Sequence, residues 1–560
     1  MASRAHYRFD EREWDDYEAL REWFEWVIPD RFNVTRETVG HWATKTPDEP
    51  AVIAVDGGDE IRLTYRELYD RVGACASALA SRGVDRGDRV AVNAPQRVET
   101  LVGHLAAWTL GAVSVPLSMR FGPDALAYRL GDCDVTAAIV DGSRLDAFAR
   151  ATHSDAVRTL SHVLVVDPPA DADGVAAETT PFDAALAAEA TDDGLTPVET
   201  APDDDAMIIY TSGTTGDPKG VRHTHSFLLG HLPTAVTGFF NLDPQPVERF
   251  YTPVEWSWVG PLWAFCLPAL YYGKTVVGDA GRFDPERVLE LVDRYDVTRL
   301  LGPATVWRRL DAIETPRERF DTDSVSVVMS AGESMGEREL ETVEDCFAGA
   351  VVHEGYGQTE AMNLIMDCEA LVPKRASKMG KPTPGVDVRI VDPETGEPTV
   401  PTGEVGEIAV QYGDGHPLCF EEYWNQPDRT AEKVRDGWLL TEDLGFVDEA
   451  GYVEFESRKD DVIICSGYRI SPDELQETLV AHEAVANAGV VGVPDDDHGH
   501  VPKAVVVLEA GYDPSDELTE TLQSYVKTEL AMYEYPRVVE YRDELPTTGS
   551  GKVERSALTD

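Results

Sequence analysis

Residues 210 to 220 read Tyr-Thr-Ser-Gly-Thr-Thr-Gly-Asp-Pro-Lys-Gly, and the rest of the chain is read outward from them. The run Met207-Ile208-Ile209-Tyr210 that leads in is apolar and short, the pattern of a buried strand that stops abruptly. Four hydroxyls follow, Thr211, Ser212, Thr214 and Thr215, interleaved with Gly213 and Gly216 and closed by Pro218, Lys219 and Gly220. Glycine admits positive φ and lets backbone approach a ligand. Hydroxyl and N–H donors closed by a cation suit a polyphosphate. The alternative is a solvated turn, and a Pro-Lys-Gly closure directly after a buried strand weighs against it. The loop is not G-x-x-x-x-G-K-[ST], because Pro218 stands five residues after Gly213 and Gly220 follows Lys219. Nor is it G-x-G-x-x-G.

A chain of 560 residues is long enough for at least two domains, and 42% hydrophobic residues can build their cores. The charge is unusual: 102 acidic residues face 49 basic ones, a formal net charge of −53, and only 11 of the basic residues are lysines. Such a surface repels nucleic acid and anionic membranes, so neither is expected as a partner. It suits concentrated salt, where self-repulsion is screened. The low-lysine, high-acid balance resembles that of proteins from salt-accumulating halophiles. Seven scattered cysteines without a C-x-x-C pair fit reduced thiols and suggest no zinc site. No apolar leader and no membrane-length apolar run is present, so a cytoplasmic protein is expected.

Strand and helix patterns alternate on both sides of the loop: strand over 87–92, helix over 98–110, strand over 113–116, helix over 123–130, and later helix over 283–295 and strand over 299–302. This order implies βαβ units and parallel sheet. From Val386 to Glu456 short alternating strands suggest a β-rich subdomain. Beyond it the tail has its own βαββαβ-like order. The expected fold is therefore α/β: a large domain over 1–457, built of stacked βα subdomains plus the β-rich one, and a small α+β domain over 458–560.

Two further polar segments follow expected strands. One is Ala331-Gly332-Glu333-Ser334, the other Glu354-Gly355-Tyr356-Gly357-Gln358-Thr359-Glu360. In open α/β sheets ligands bind beyond the carboxyl ends of strands, so these segments and the 211–220 loop can converge. Tyr356 could stack on a flat base, with Thr359 and Glu360 facing phosphate. A carboxylate there needs an intervening cation, which implies Mg²⁺ at Glu360. Asp443 could accept two hydrogen bonds from a ribose diol, or cap a turn. The aromatic stretch 252–278 reads mainly as core, with Trp256 and Trp258 the candidates for the wall of an organic pocket.

The motifs together, in this order, resemble the adenylate-forming superfamily of acyl-CoA synthetases, luciferases and peptide-synthetase adenylation domains. The shape is similar to the medium-chain acyl-CoA synthetases. The resemblance implies that a carboxylic acid attacks ATP to give acyl-adenylate and pyrophosphate, after which the small domain rotates and CoA displaces AMP. It implies a phosphate loop at Thr211 to Lys219, adenine-side contacts from Gly332 to Ser334 and Glu354 to Gln358, and catalytic roles for Thr359, Glu360 and Lys552. Lys552 lies in Pro546-Thr-Thr-Gly-Ser-Gly-Lys552. The resemblance places ribose contacts at Asp443 and Arg458, although Glu442 stands where the family's T-G-D motif has glycine. It puts the hinge at Asp460 and a further nucleotide contact at Arg469. It assigns CoA contacts to Ser466, Gly467, Tyr468, Lys527, Tyr535 and Arg537. Acetyl-CoA synthetases carry tryptophan where Gly357 stands, so a medium-chain, branched or aromatic acid is expected rather than acetate.

Two other readings share these residues. A stand-alone enzyme that loads a carrier protein would differ only in the thiol acceptor, and the Ser466 to Arg469 and Tyr535 to Arg537 runs favour CoA. A nucleotide-binding homologue without catalysis would have lost Lys552 or Glu360, and both are present. A monomer or small homo-oligomer is expected.

Overall fold

The structure is a computed structural model. It describes residues 2–170, 174–189, 195–211, 218–375, 377–397, 401–413, 415–459, 461–465, 468–495, 499–530, 535–547 and 553–559. Ser212, Gly213, Thr214, Thr215, Gly216, Asp460, Ser466, Gly467 and Lys552 lie outside the described residues, and of Tyr468 and Arg469 only the strand backbone is described.

Among the described residues the large unit is built on two stacked sheets. The first, of eight strands, runs in the order Glu422–Tyr423, Lys219–Thr224, Asp205–Thr211, Val113–Pro116, Arg89–Asn93, Val135–Asp141, His162–Val166 and Glu178–Pro181. The second, of nine, runs Lys381–Pro382, Ala361–Met366, Val351–Gln358, Val327–Ala331, Arg299–Gly302, Arg249–Tyr251, Thr275–Asp279, Pro50–Asp56 and Asp59–Thr64. The inner strands are parallel and apolar on both faces, as sheets covered by helices must be.

The helices between the sheets explain this order. Tyr65–Ala80 starts in a capping box between Thr64 and Glu67 and buries Leu68, Val72, Cys75, Ala76 and Leu79 along one face. Val98–Leu110 is buried almost all round and ends at Gly111, whose φ of 71° closes the last turn. With Phe227–Thr234 these helices fill one continuous core that reaches from Val90 and Met207 on one sheet to Phe250 and Val276 on the other.

Three local differences from the sequence reading matter. Pro50–Asp56, which sequence reading passed over, is a buried strand pairing in parallel with Thr275–Asp279 and antiparallel with Asp59–Thr64. Lys219–Thr224, which sequence reading did not assign, is a strand pairing antiparallel with Asp205–Thr211, Thr211 opposite Lys219. The segment 354–358 is not a loop but the end of the strand Val351–Gln358, which turns at 359–360 into Ala361–Met366.

The β-rich sheet orders Val388–Val391, Gly406–Gln411, Trp438–Val447 and Val434–Arg435, with Val453–Arg458 also paired to Trp438–Val447. Strand pairing runs as far as Asp443 opposite Arg458, so Arg458 lies in this sheet, one residue past the expected domain boundary. The small unit follows with two short strands, Ile463–Cys465 and Tyr468–Ile470, then a helix, two long strands, a second helix and Val538–Tyr541, around its own core. It meets the large unit through Arg338 and Glu509 at 2.7 Å. The helix Pro472–Val480 brings Glu477 toward Glu354 and Glu339. Burial and these carboxylates, with Asp473 and Glu474, push its carboxyl up to about 7.

Candidate active site

The hairpin that carries the phosphate loop ends in Lys219, whose Nζ sits 4.9 Å from the Tyr423 ring centroid. Tyr423 is held there because Glu422–Tyr423 pairs with Lys219–Thr224, Tyr423 opposite Val221. Its hydroxyl donates to Glu360 Oε1 at 2.5 Å. Burial and the Glu360 carboxylate both raise the Tyr423 hydroxyl well above its ordinary pKa, so it remains a donor. Glu360 is 8% exposed, and its backbone is pinned by the Phe420 N–H donating to its carbonyl at 2.7 Å. A phosphate-loop cation, an aromatic ring and a carboxylate thus form one cluster from three distant segments.

A second cluster abuts the first. Tyr356 donates its hydroxyl to Asp443 Oδ2 at 2.6 Å, and Gln358 Nε2 donates to the Thr441 carbonyl at 2.9 Å. Arg458 Nε lies 3.5 Å from Asp443 Oδ1. The two strands that carry these residues, Val351–Gln358 and Trp438–Val447, belong to different sheets, and the side chains bridge them. The site so made offers an aromatic ring, a carboxylate with two oxygens and a guanidinium, a set that matches a base and a ribose diol.

Behind it, Glu354 Oε1 accepts from the Met335 N–H at 2.7 Å, which ties the 332–335 turn to the Tyr356 strand. Lys374 pairs with Glu354 and lies 3.6 Å from Asp367. Asp367 is fully buried, and burial raises its carboxyl to about 6 against the pull of Lys374. Glu333 is held by Arg308 at 3.0 Å, and Gly332 takes a φ of 94° that glycine adopts without strain.

The pocket candidates fare differently. Trp256 is 1% exposed and packs so closely on Gly278 that a Cβ there would lie 2.6 Å from its ring. Trp258 is half-buried and meets Phe121 edge-on at 6.2 Å. Gly357 has a local requirement of its own: a Cβ would lie 2.5 Å from the Asn363 N of the adjoining strand. On the small unit Lys527 and Arg537 flank the Tyr535 ring at 3.7 and 4.6 Å, so three of the residues expected at CoA form one group.

Comparison with known proteins gives a family for the chain. Residues 39–424 match the family model of the AMP-binding enzymes, and residues 474–552 match that of the AMP-binding enzyme C-terminal domain. The chain belongs to the AMP-binding enzyme family.

Within the family it is 35% identical to the uncharacterized acyl–CoA ligase YtcI of Bacillus subtilis over 504 residues, 90% of this chain and 91% of that one. It is 32% identical to the mitochondrial acyl-coenzyme A synthetase ACSM3 of Mus musculus over 558 residues, 97% of this chain and 93% of that one. Among solved structures it superposes on an acyl-CoA synthetase of Brucella canis with a TM-score of 0.74 and 28% identity, covering 98% of each chain. The chain's large α/β unit and small terminal unit correspond to the two matched family models.

Sequence reading missed Tyr423, Lys433, Glu407 and the Lys374–Asp367 pair. Tyr423 lies in Glu421-Glu422-Tyr423-Trp424, where nothing in spacing or composition separates it from core. The lysines carried a usable signal, because in a chain with only 11 of them a retained lysine is informative.

Proposed function

We infer that this AMP-binding enzyme is an ATP-dependent acyl-CoA synthetase that makes an acyl-adenylate and pyrophosphate, then transfers the acyl group to CoA with release of AMP. The observation that carries the site reading is the meeting of the Lys219–Tyr423–Glu360 cluster with the Tyr356–Asp443–Arg458 cluster. A nucleotide laid across both has its base at Tyr356, its ribose at Asp443 and Arg458, and its phosphates at the 211–219 loop.

In this reading the acid's carboxylate oxygen attacks the α-phosphorus, the bond to the bridging oxygen breaks, and pyrophosphate carries that electron pair away. Negative charge from the approaching oxygens must be neutralised, which is the work assigned to Lys219 and, from the small domain, Lys552. Thr359 and Glu360 flank the phosphates. Glu360 fits a Mg²⁺ site. Its Oε1 is taken by Tyr423 and, among the described residues, its Oε2 takes no hydrogen bond, which suits an ion that binds through one carboxylate and substrate oxygens. Mg²⁺ bound there would supply charge neutralisation for the polyphosphate. In the second step the CoA sulfur attacks the acyl carbonyl and AMP leaves. The Lys527–Tyr535–Arg537 group offers cations for the phosphates of CoA, and the family resemblance assigns Ser466, Gly467 and Tyr468 to CoA and Arg469 to the nucleotide. Rotation about Asp460 would exchange the two active arrangements.

The acid is assigned as medium-chain, branched or aromatic, with half-buried Trp258 and Gly357 at the pocket; Trp256, packed on Gly278, is core rather than wall. The acidic, lysine-poor composition supports a halophilic, cytoplasmic setting. Among the described residues no helix is long and apolar enough to cross a membrane.

The test is pyrophosphate release from ATP in molar KCl across a panel of acids, each with and without CoA. Acyl-CoA and AMP should accumulate only with CoA. Lys552→Ala should lower acid-dependent release by about a hundredfold or more, the scale of a lost transition-state contact. Unchanged release would remove Lys552 from the mechanism. An adenylate that CoA cannot discharge would point to a carrier-protein acceptor.

A further inference from the structure

The small unit has a second, smaller core beside its main one. Leu545 and Leu558 are buried there with Val491 and Val505, and Val553 packs against them. Gly489 makes room for this packing: a Cβ there would lie 2.6 Å from Leu558 and 3.0 Å from Val553. Two contacts join the chain between these anchors. Thr547 and Val553 form an antiparallel bridge, and the Glu554 N–H donates to the Pro546 carbonyl at 2.8 Å. Residues 548–552, which end in Lys552, connect the two sides of this bridge.

Arg555 stands at the foot of the bridge and is largely buried. Its Nη1 donates to Asp461 Oδ2 at 2.7 Å, and its Nη2 donates to Asp473 Oδ1. Asp473 Oδ2 lies 3.4 Å from Nη1, and Gln476 Oε1 lies 3.5 Å from Nη2. Asp461 directly follows the expected hinge, and Asp473 is in the first turn of the helix Pro472–Val480. The residue before the hinge is held by the large unit instead. The Lys459 N–H donates to the Glu442 carbonyl at 2.8 Å, and Lys459 Nζ pairs with Glu407 at 2.9 Å. The Asp461 N–H donates to the Arg458 carbonyl at 3.1 Å, and the Arg458 charge also faces Asp461, but the close partner of the Asp461 carboxylate is Arg555.

We propose that Arg555 is a positioning residue for the adenylation step: through Asp461 and Asp473 it fixes the base of the Lys552 segment to the start of the small unit, so that a rotation bringing that unit onto the phosphates carries Lys552 in at a set angle. The proposal rests on the assignment of Lys552 to that step. Burial of Leu545, Val553 and Leu558 holds the base against the sheet, but hydrophobic contact is non-directional and leaves its tilt free. A planar guanidinium forked between carboxylates of two separate segments fixes that tilt.

Two half-reactions of the full-length protein in molar KCl, run with an acid that the wild type activates, separate this role from a structural one. The first is acid-dependent pyrophosphate release. The second is acyl-CoA formation from CoA and acyl-adenylate supplied ready-made. Arg555→Met should slow the first about thirtyfold, short of the roughly hundredfold that a misplacement of about 1 Å can cost, and the second less than about threefold. Arg555→Lys keeps the charge without the fork and should recover part of the first step. Asp461→Asn leaves Arg555 in place and should show the same split, at about tenfold. Thermal unfolding is recorded alongside. Equal losses in both steps, or a first step within about threefold of wild type in both Arg555→Met and Asp461→Asn, overturn the proposal. Lys552→Ala is the control. If it slows the first step while the Arg555 and Asp461 variants do not, the positioning role fails and the assignment of Lys552 stands. If it leaves the first step unchanged, that assignment fails and takes the proposal with it.

Discussion

The Tyr356 hydroxyl and the Asp443 carboxylate meet at 2.6 Å, although 87 residues separate them and their strands belong to different sheets. This hydrogen bond joins the main nine-stranded sheet to the β-rich one at the place where a nucleotide would lie. Burial first, and the neighbouring carboxylate second, raise the Tyr356 hydroxyl, so it stays protonated and donates at any working pH.

Tyr356→Phe should therefore loosen Asp443 while keeping the ring. A hydrogen bond to a charged group contributes about 1.5 kcal/mol or more, so KM for ATP should rise by roughly tenfold. KM for the acid should change little. Steady-state kinetics with each substrate varied in turn would check this, and equal effects on both would argue against a nucleotide role.

Tyr423 and Glu360 make a separable prediction. Removing the hydroxyl in Tyr423→Phe frees Glu360 Oε1 and unfixes the carboxylate. The Mg²⁺ concentration for half-maximal pyrophosphate release should rise about tenfold, the low end of the cost of losing a group that orients a metal ligand. Glu360→Gln should do more. A Mg²⁺ titration identical to wild type in both variants would remove the metal from this position.

Asp367 offers a stability test in pH. Its carboxyl is raised from 3.8 to about 6, mainly by burial. Between those values the folded protein holds a proton that the unfolded chain has lost, so stability falls as pH rises through the window. Above it the charged, buried carboxylate costs up to about 3 kcal/mol. Asp367→Asn should raise the unfolding temperature at pH 7, with the gain shrinking as pH falls below 6 and gone near pH 4. A gain independent of pH would mean that packing, not ionisation, is responsible.

Salt should act on the whole molecule and on the seam between its units. A net charge of −53 repels itself, and Glu477 faces Glu354 and Glu339 across the seam where Arg338 pairs with Glu509. Raising KCl from about 0.1 to 2 M shortens the screening length from about 10 Å to under 3 Å. The unfolding temperature should climb by about 10 °C or more over that range. A flat or falling curve would contradict the reading of the composition as a salt adaptation.

Local chemistry made much of this protein legible in advance. The strand at 205–211, the helix Val98–Leu110 and the strand Arg299–Gly302 follow from apolar periodicity and from the residues that stop them. The family is carried by short motifs whose residue types are set by what they bind. Such signals lie within a few residues of one another, so a linear reading can catch them.

What escaped it is non-local. Pro50–Asp56 reads as one more apolar run, and only the sheet order shows it inserted beside Thr275–Asp279. Tyr423 acquires its place because an edge strand pairs across about two hundred residues with the one that carries Lys219. Glu442 reads in sequence as a mismatch to a glycine motif, and in the fold as the carboxylate between a buried lysine and Arg458. Local residue order specifies which groups are present, their family and the elements that bear them. Which of those groups share a charge, and so which pKa values and which partners they have, was decided by tertiary structure. Electrostatic and hydrogen-bond energies fall with distance through space, and sequence separation does not measure that distance.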